Sequence, residues 1–474
     1  MKMSNSRIEH DAFGPVDIPS DKYWGAQTQR AMSIFEVGEE RFPACLLHAF
    51  GLQKIAAARA NRRCDVLDTV MANAIVSAAE ELREGRFDDH FPLTVWQTGS
   101  GTQTNMNANE VIANRANELL GQALGTKSPV HPNDHVNASQ SSNDSFPTVM
   151  HLVTVLELET RLKPALVLLR DSLTERATAF SAVLKIARTH LMDAVPMTMG
   201  QSFDAFARQI GHGIDRIDAS MPRLLLLPQG GTAAGTGLNA PPDFDRIFCE
   251  EISALTGQGF SPNPSKFEGM AAHDAMVEVS GALNVLATSL IKMANDIRWL
   301  GSGPRCGLGE LKVPDDGLTS SIMPGKRNPT IAEVLAQACM QVMGNHATIT
   351  IANASGNFEL NVAKPVLISN LLQSIRLLAD ASRVFARRLV QGLEVDAVRL
   401  ADNVGNALLQ VTALNPILGY DKVAQITARA LEEGITPRAA ALSLGFLDAA
   451  TYDSVVNAAK LAGLSMHRMA PHDE

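Results

Sequence analysis

The chain predicts a mainly α fold built around a long central helical bundle, and three observations predict it. Ala, Leu, Val and Met supply most of the apolar residues while only 5% of the chain is aromatic, which favours helix-on-helix packing over a sheet-built core. Met276, Val279, Leu283, Leu286, Leu290, Met293, Ile297 and Leu300 recur at alternating three- and four-residue intervals, the spacing of one apolar seam along a helix. From Phe146 to about Val390 helical patterns dominate, interrupted only by polar Gly- and Pro-containing breaks.

The elements follow in order. Residues 1–140 mix short irregular pieces with helices such as Ala44 to Arg62 and Asn109 to Leu120, and read as a compact first domain. Residues 141–395 carry the long helices, broken near Pro196, Pro228 to Pro242, Gly257 to Gly269 and Gly301 to Gly317. The seam helix is expected from Ala275 to Leu300, and at 1.5 Å per residue its apolar stripe spans roughly 37 Å. A helix of that length wants lengthwise partners, and Gly281 with Ala282 would permit close approach. Those partners belong either to the same chain or to other subunits; we read a bundle completed by other subunits. Residues 396–474 form a small helical C-terminal domain, broken at Leu414-Asn415-Pro416, Gly434 and Gly445, and the tail after Gly463 is expected to fray.

Composition narrows the function. A net charge of −9 argues against a nucleic-acid surface and offers no general attraction to a dianion, so an anionic substrate needs locally placed donors. The five cysteines are scattered without a C-x-x-C pair, which disfavours a disulfide framework, an iron–sulfur cluster or a zinc site. Met1 to Ser20 is polar and acidic, unlike a signal or transit peptide, and no charge-free apolar run approaches membrane-spanning length. A soluble cytoplasmic protein is the expectation.

Four polar islands carry the candidate chemistry. Thr319 to Pro329 places Ser320, Ser321, Lys326 and Asn328 on one loop ahead of a helix expected over Thr330 to Gly344, where a positive helix end favours an anion. Read alone, this loop is equally a solvated connection. Thr98 to Asn105 precedes a helix around Val111, and His131 to Asn137 leads to Ser141-Ser142-Asn143-Asp144, which caps a helix starting near Phe146-Pro147. Taken singly, each island reads as capping. Thr189-His190 lies between an apolar stretch and the break at Met192 to Pro196, and a pair between His190 and Glu333 would orient the imidazole for proton transfer. Gly235 to Ala240 satisfies G-x-G-x-x-A, yet Pro241 and Pro242 follow at once, so a dinucleotide site is rejected.

Ser320-Ser321-Ile322-Met323-Pro324-Gly325-Lys326 followed by Asn328-Pro329 resembles the signature loop of the fumarase/aspartase superfamily. Trp24 to Arg30, Thr98 to Met106, His131 to Asn137 and Gly356 to Asn361 look like class II fumarases, and the resemblance runs from about Gly14 to Gly463. Aspartases differ over Trp96 to Ser100, so aspartate ammonia-lyase or another succinyl-compound lyase is the alternative; an inactive helical scaffold is the alternative of another class. The resemblance implies reversible anti addition of water to fumarate, giving L-malate through an aci-carboxylate, with neither metal nor organic cofactor. It implies a three-domain subunit in a homotetramer whose active sites each draw on three subunits. Carried over by position, Ser320 removes the C3 proton, and His190, paired with Glu333, serves the departing hydroxyl. Ser100, Gly101, Thr102, Ser141, Ser142, Asn143, Thr189, Ser321, Lys326 and Asn328 hold substrate, while His131, Pro132, Asn133 and Asp134 match a second anion site. Two residues depart from the pattern: Thr319 replaces the usual Gly, and Arg327 follows the signature lysine and is expected to point outward.

Overall fold

The computed structural model describes residues 6–464; the tail expected to fray lies almost wholly outside them. A hairpin, β1 (Ser6–Asp11) and β2 (Gly14–Pro19), precedes α1 (Ala26–Ile34), α2 (Ala44–Arg63), α3 (Thr69–Arg83) and α4 (Thr102–Leu119). Then come α5 (Ser142–Glu157), α6 (Lys163–Ala179), a second hairpin of β3 (Leu184–Thr189) and β4 (Met192–Thr198), α7 (Met199–Leu224), α8 (Phe244–Thr256) and α9 (Lys266–Ala271). The long helices α10 (Asp274–Leu300), α11 (Thr330–Ala354) and α12 (Lys364–Arg388) follow, and shorter helices fill Ala397 to Leu461. Every sheet among the described residues has two strands, so helices make the core.

The chain divides into two compact units interleaved in sequence. The first holds residues up to Pro164 with Gly213–Ala287 and Cys339–Ala379; the second holds Ala165–His212, Thr288–Ala338 and Asp380 onward. In the first, α2 is buried along most of its length, and Gly51 lets α3 approach: a β-carbon there would lie 2.7 Å from the Arg83 nitrogen. Buried polar groups fix the register of the long helices, with Asn345 Nδ2 donating to Gln373 Oε1 (2.9 Å) and Ser374 Oγ (3.1 Å), and Ser280 Oγ bonded to His346 Nδ1 (2.9 Å). In the second unit Val411, Leu414, Val423, Ile426, Ala430, Ala440, Ala441 and Tyr452 form a small core of their own.

The seam helix is found within one residue of its expected start. All eight seam residues are buried inside the chain, between 0% and 9% exposed. Covering them contributes on the order of 15 kcal/mol, an upper value because the unfolded chain is already partly compact. The seam is therefore covered within one chain, and any oligomer must use other faces. Close approach is also made elsewhere, because a β-carbon on Gly281 would meet only His346 Cε1 at 3.9 Å, whereas one on Gly213 of α7 would lie 3.0 Å from Leu286 Cδ1. By length and composition α10 could cross a membrane, but its apolar stripe is this buried seam.

Helix boundaries differ from expectation at several places. The helix expected from Asn109 starts at Thr102, because Gly101 at φ 77° caps it and its polar first turns find partners inside the fold. The helix expected to stop at Gly344 runs on to Ala354, since Ile349 and Ala352 continue its buried face.

Candidate active site

In the first unit two helix N-termini are laced together. Gly99 and Gly101 allow the approach to α4: a β-carbon on Gly99 would lie 1.3 Å from the Val362 carbonyl oxygen, and one on Gly101 would lie 2.1 Å from the Phe146 ring. Gln97 Oε1 accepts from the Thr104 nitrogen (3.0 Å) and hydroxyl (2.9 Å), which pins the loop, and Ser100 Oγ lies 2.8 Å from Thr102 Oγ1. At α5, Ser141 is the N-cap and closes a reciprocal capping box with Asp144, so the helix begins at Ser142, ahead of the expected Phe146. Asn105 Nδ2 in the first turns of α4 donates to Ser142 Oγ (3.1 Å), joining the two ends. Ser100, Thr102, Ser141, Ser142 and Asn143 thus stand at two helix N-termini, whose positive ends favour a carboxylate.

Behind this cradle lies a buried polar layer that sequence reasoning missed. Asp144 is fully buried and accepts from the backbone nitrogens of Ser141, Gly230 and Thr232, each at 2.9 Å. Burial still pushes its carboxyl up to about 6, against those hydrogen bonds and the nearby Lys54 charge. Lys54 and Lys364 are both fully buried, and loss of solvation pushes each amine down to about 7, opposed by Asp144. Lys364 donates its backbone nitrogen to the Gly99 carbonyl (3.1 Å), while its Nζ has no hydrogen-bond partner among the described residues. The available signal was the polar pair Gln53-Lys54 in α2, inside the otherwise apolar stretch Ala49 to Ala58.

The second anion candidate is a single wide turn, Pro132–Val136, capped by His131. His131 Nδ1 accepts from the backbone nitrogens of Asn133 and Asp134, both at 3.2 Å, so that ring nitrogen is the unprotonated one. Burial lowers the His131 pKa, with Asp134 pulling the other way.

The second unit carries the remaining candidates on a hairpin and a loop. His190 and Leu191 form the two-residue turn between β3 and β4, both with positive φ (56° and 63°), the conformation of a type I′ turn. Neither residue is glycine, so the turn holds strain at an exposed tip, a reason to look for function there. The hairpin is anchored by Arg188, which meets the buried Glu310 at 2.6 Å, and Asn403 braces the same carboxylate at 3.0 Å. On the loop, Met323-Pro324-Gly325-Lys326 closes a turn through the Lys326 nitrogen and Met323 oxygen (3.2 Å), with Gly325 at φ 78°. Ser320 Oγ accepts from the backbone nitrogens of Ile322 (3.4 Å) and Met323 (3.2 Å). Both donors belong to the loop's own turn and not to the helix that follows. Thr319 takes a negative φ, so replacing glycine there costs no backbone strain. Arg327 is 69% exposed and pairs with Asp315 at 2.9 Å, facing outward as expected. Glu333 pairs with Arg298 (3.6 Å), and among the described residues His190 makes no ion pair.

Residues 14–344 match the lyase family and residues 411–463 match the fumarase C C-terminus family. The chain is 54% identical over 452 residues to the mitochondrial fumarate hydratase of Rhizopus oryzae, spanning 95% of this chain and 91% of that protein. It is 52% identical over 456 residues to fumarate hydratase class II 2 of Bradyrhizobium diazoefficiens, 96% of each. Its fold matches the recombinant class II fumarase from Schistosoma mansoni with a TM-score of 0.95 at 39% identity, covering 97% of this chain and 99% of that one.

Proposed function

This chain belongs to the class II fumarase family of lyases, and from that premise we propose that it catalyses the reversible anti addition of water to fumarate, giving L-malate. The observation that carries this reading is the match along 95% of the chain to a fumarate hydratase at 54% identity.

In the dehydrating direction Ser320 takes the C3 proton of malate as its alkoxide. A serine oxygen is a poor base in water, and the Ile322 and Met323 nitrogens already directed at Oγ support its negative charge. Charge from C3 then flows into the adjacent carboxylate, where Lys326 and Asn328 stabilise the aci form. His190, backed by Glu333, protonates the departing C2 hydroxyl, which leaves as water. Ser100, Gly101, Thr102, Ser141, Ser142, Asn143, Thr189 and Ser321 hold the two carboxylates. His131, Pro132, Asn133 and Asp134 form a second anion site, whose two backbone donors are released to an anion once Nδ1 of His131 is protonated.

We further propose a homotetramer in which each site takes its cradle, hairpin and loop from three subunits. The free His190, the engagement of Glu333 by Arg298, and the exposed Leu191 (77%), Met192 (70%), Met340 (59%) and Ile351 (70%) support this. The division into residues 1–140, 141–395 and 396–474 is kept as the functional one, with the separate C-terminal family match and core supporting its last part. We place the protein in a soluble compartment, the cytoplasm.

Purified protein is expected to remove the ultraviolet absorption of fumarate as malate accumulates. Ser320→Ala is expected to lower kcat by roughly a hundred- to ten-thousand-fold with the oligomer mass unchanged. Ammonia release from aspartate without fumarate turnover would replace this reading with an aspartase.

A further inference from the structure

Lys54 sits in the middle of α2 with no solvent exposure and, among the described residues, faces no carboxylate within hydrogen-bond reach. Its Nζ donates instead to three side-chain carbonyl oxygens, those of Asn105 (2.9 Å), Gln140 (2.9 Å) and Asn137 (3.3 Å). Three donors meet three acceptors, so the ammonium is saturated by amide oxygens alone.

That pairing decides which way Asn105 faces. An amide can turn its oxygen or its NH2 group towards a neighbour at almost the same steric cost, and only its partners choose. With the oxygen held by Lys54, the Asn105 NH2 group must point the other way. One of its hydrogens goes to Asn137 Oδ1 (3.1 Å) and the other to Ser142 Oγ (3.1 Å). Ser142 therefore accepts from behind, and its own hydroxyl hydrogen is left for the open side of the cradle. Were Asn105 reversed, Ser142 would donate inward to the amide oxygen and present lone pairs to an arriving carboxylate. The first arrangement binds an anion and the second repels it.

We infer that Lys54 is a positioning residue for the hydration reaction: by holding the Asn105 amide in one orientation, it sets the Ser142 hydroxyl as a donor to a substrate carboxylate. Lys54 touches neither substrate nor reacting atoms, so its contribution falls on binding and not on proton transfer. This rests on the reading of Ser142 as a member of the carboxylate cradle.

Steady-state kinetics of the full-length oligomer with fumarate test it. Lys54→Met keeps the length of the side chain but cannot donate, and Asn105→Ala removes the link while leaving the amine. Each is expected to raise KM for fumarate by roughly tenfold, the worth of one hydrogen bond to a charged group, with kcat within about threefold of wild type. The double variant is expected to be no worse than the poorer single one, and Lys54→Met in a Ser142→Ala background is expected to add nothing further to KM. A Lys54→Met enzyme with a lower melting temperature but wild-type KM would make Lys54 purely structural and overturn the inference, as would multiplicative KM effects of Lys54→Met and Ser142→Ala. If Lys54→Met does not fold, Asn105→Ala decides in the same terms. If wild type turns over fumarate but Ser142→Ala leaves KM unchanged, the cradle reading itself fails and the inference falls with it; if Ser142→Ala raises KM while Lys54→Met and Asn105→Ala do not, only the inference fails.

Discussion

Lys364 has a fully buried side chain whose Nζ finds no hydrogen-bond acceptor among the described residues, an arrangement that costs folding energy. In the unfolded chain its amine stays protonated up to about its ordinary value of 10.5, but in the fold only up to about 7, because burial withholds solvation. Between those values unfolding takes up a proton, so the contribution of this residue to stability rises with pH through that window and is most unfavourable below it. Lys364→Met removes the titration from both states. It is expected to stabilise the protein by roughly 1–3 kcal/mol near pH 6.5, with the gain shrinking towards about pH 10. Thermal melts across that range check this, and a gain independent of pH would mean that the buried amine does not titrate there. The hydroxyls of Ser100 and Ser142 were legible in the sequence only through the motifs that surround them, since small polar residues before an apolar helix serve equally as caps. Lys54 and Lys364 were not, since nothing in one letter says whether a lysine is solvated; that depends on which helices close over it.

At the scale of the element, spacing encodes a face but not what covers it. The seam from Met276 to Leu300 placed α10 within one residue of its start, and every seam position is buried. The sequence could not say that this face is satisfied inside the chain, because the same heptad-like spacing serves an intrachain bundle and a subunit interface equally. Leu283→Ala is accordingly expected to destabilise the protein by about 2–5 kcal/mol through the cavity it leaves, with KM for fumarate unchanged. Denaturation followed alongside kinetics checks this; a large KM change would tie the seam directly to the cradle. Boundaries were less legible than faces for a related reason. Gly101 at φ 77° and the reciprocal bonds between Ser141 and Asp144 start α4 and α5 earlier than their apolar periodicity does. Those early starts bring both N-termini to the cradle.

At the scale of the whole molecule, the second unit presents its hairpin tip, with Thr189 and His190 exposed beside the apolar Leu191 and Met192, and a loop on which Lys326 is exposed and Ser320 half-buried. Neither segment closes over its own reactive groups. A carboxylate cradle, a histidine on a strained turn and a serine on a loop make a dry site only when something else covers them, and copies of the same chain are the economical cover. If each site takes its hairpin and its loop from different subunits, two dead enzymes can repair one another. The His190→Asn and Ser320→Ala variants are each expected to be nearly inactive on their own. Co-expressed in equal amounts, they assemble at random, and a site draws an intact His190 with probability one half and an intact Ser320 with the same probability. About a quarter of wild-type activity is then expected per total protein, since the two draws are independent in a symmetric oligomer. If both residues of a site come from one subunit, no mixed oligomer can hold an intact site and the mixture stays as inactive as its parents. Fumarate turnover by the co-purified mixture, with differently tagged chains to confirm mixing, separates the two outcomes.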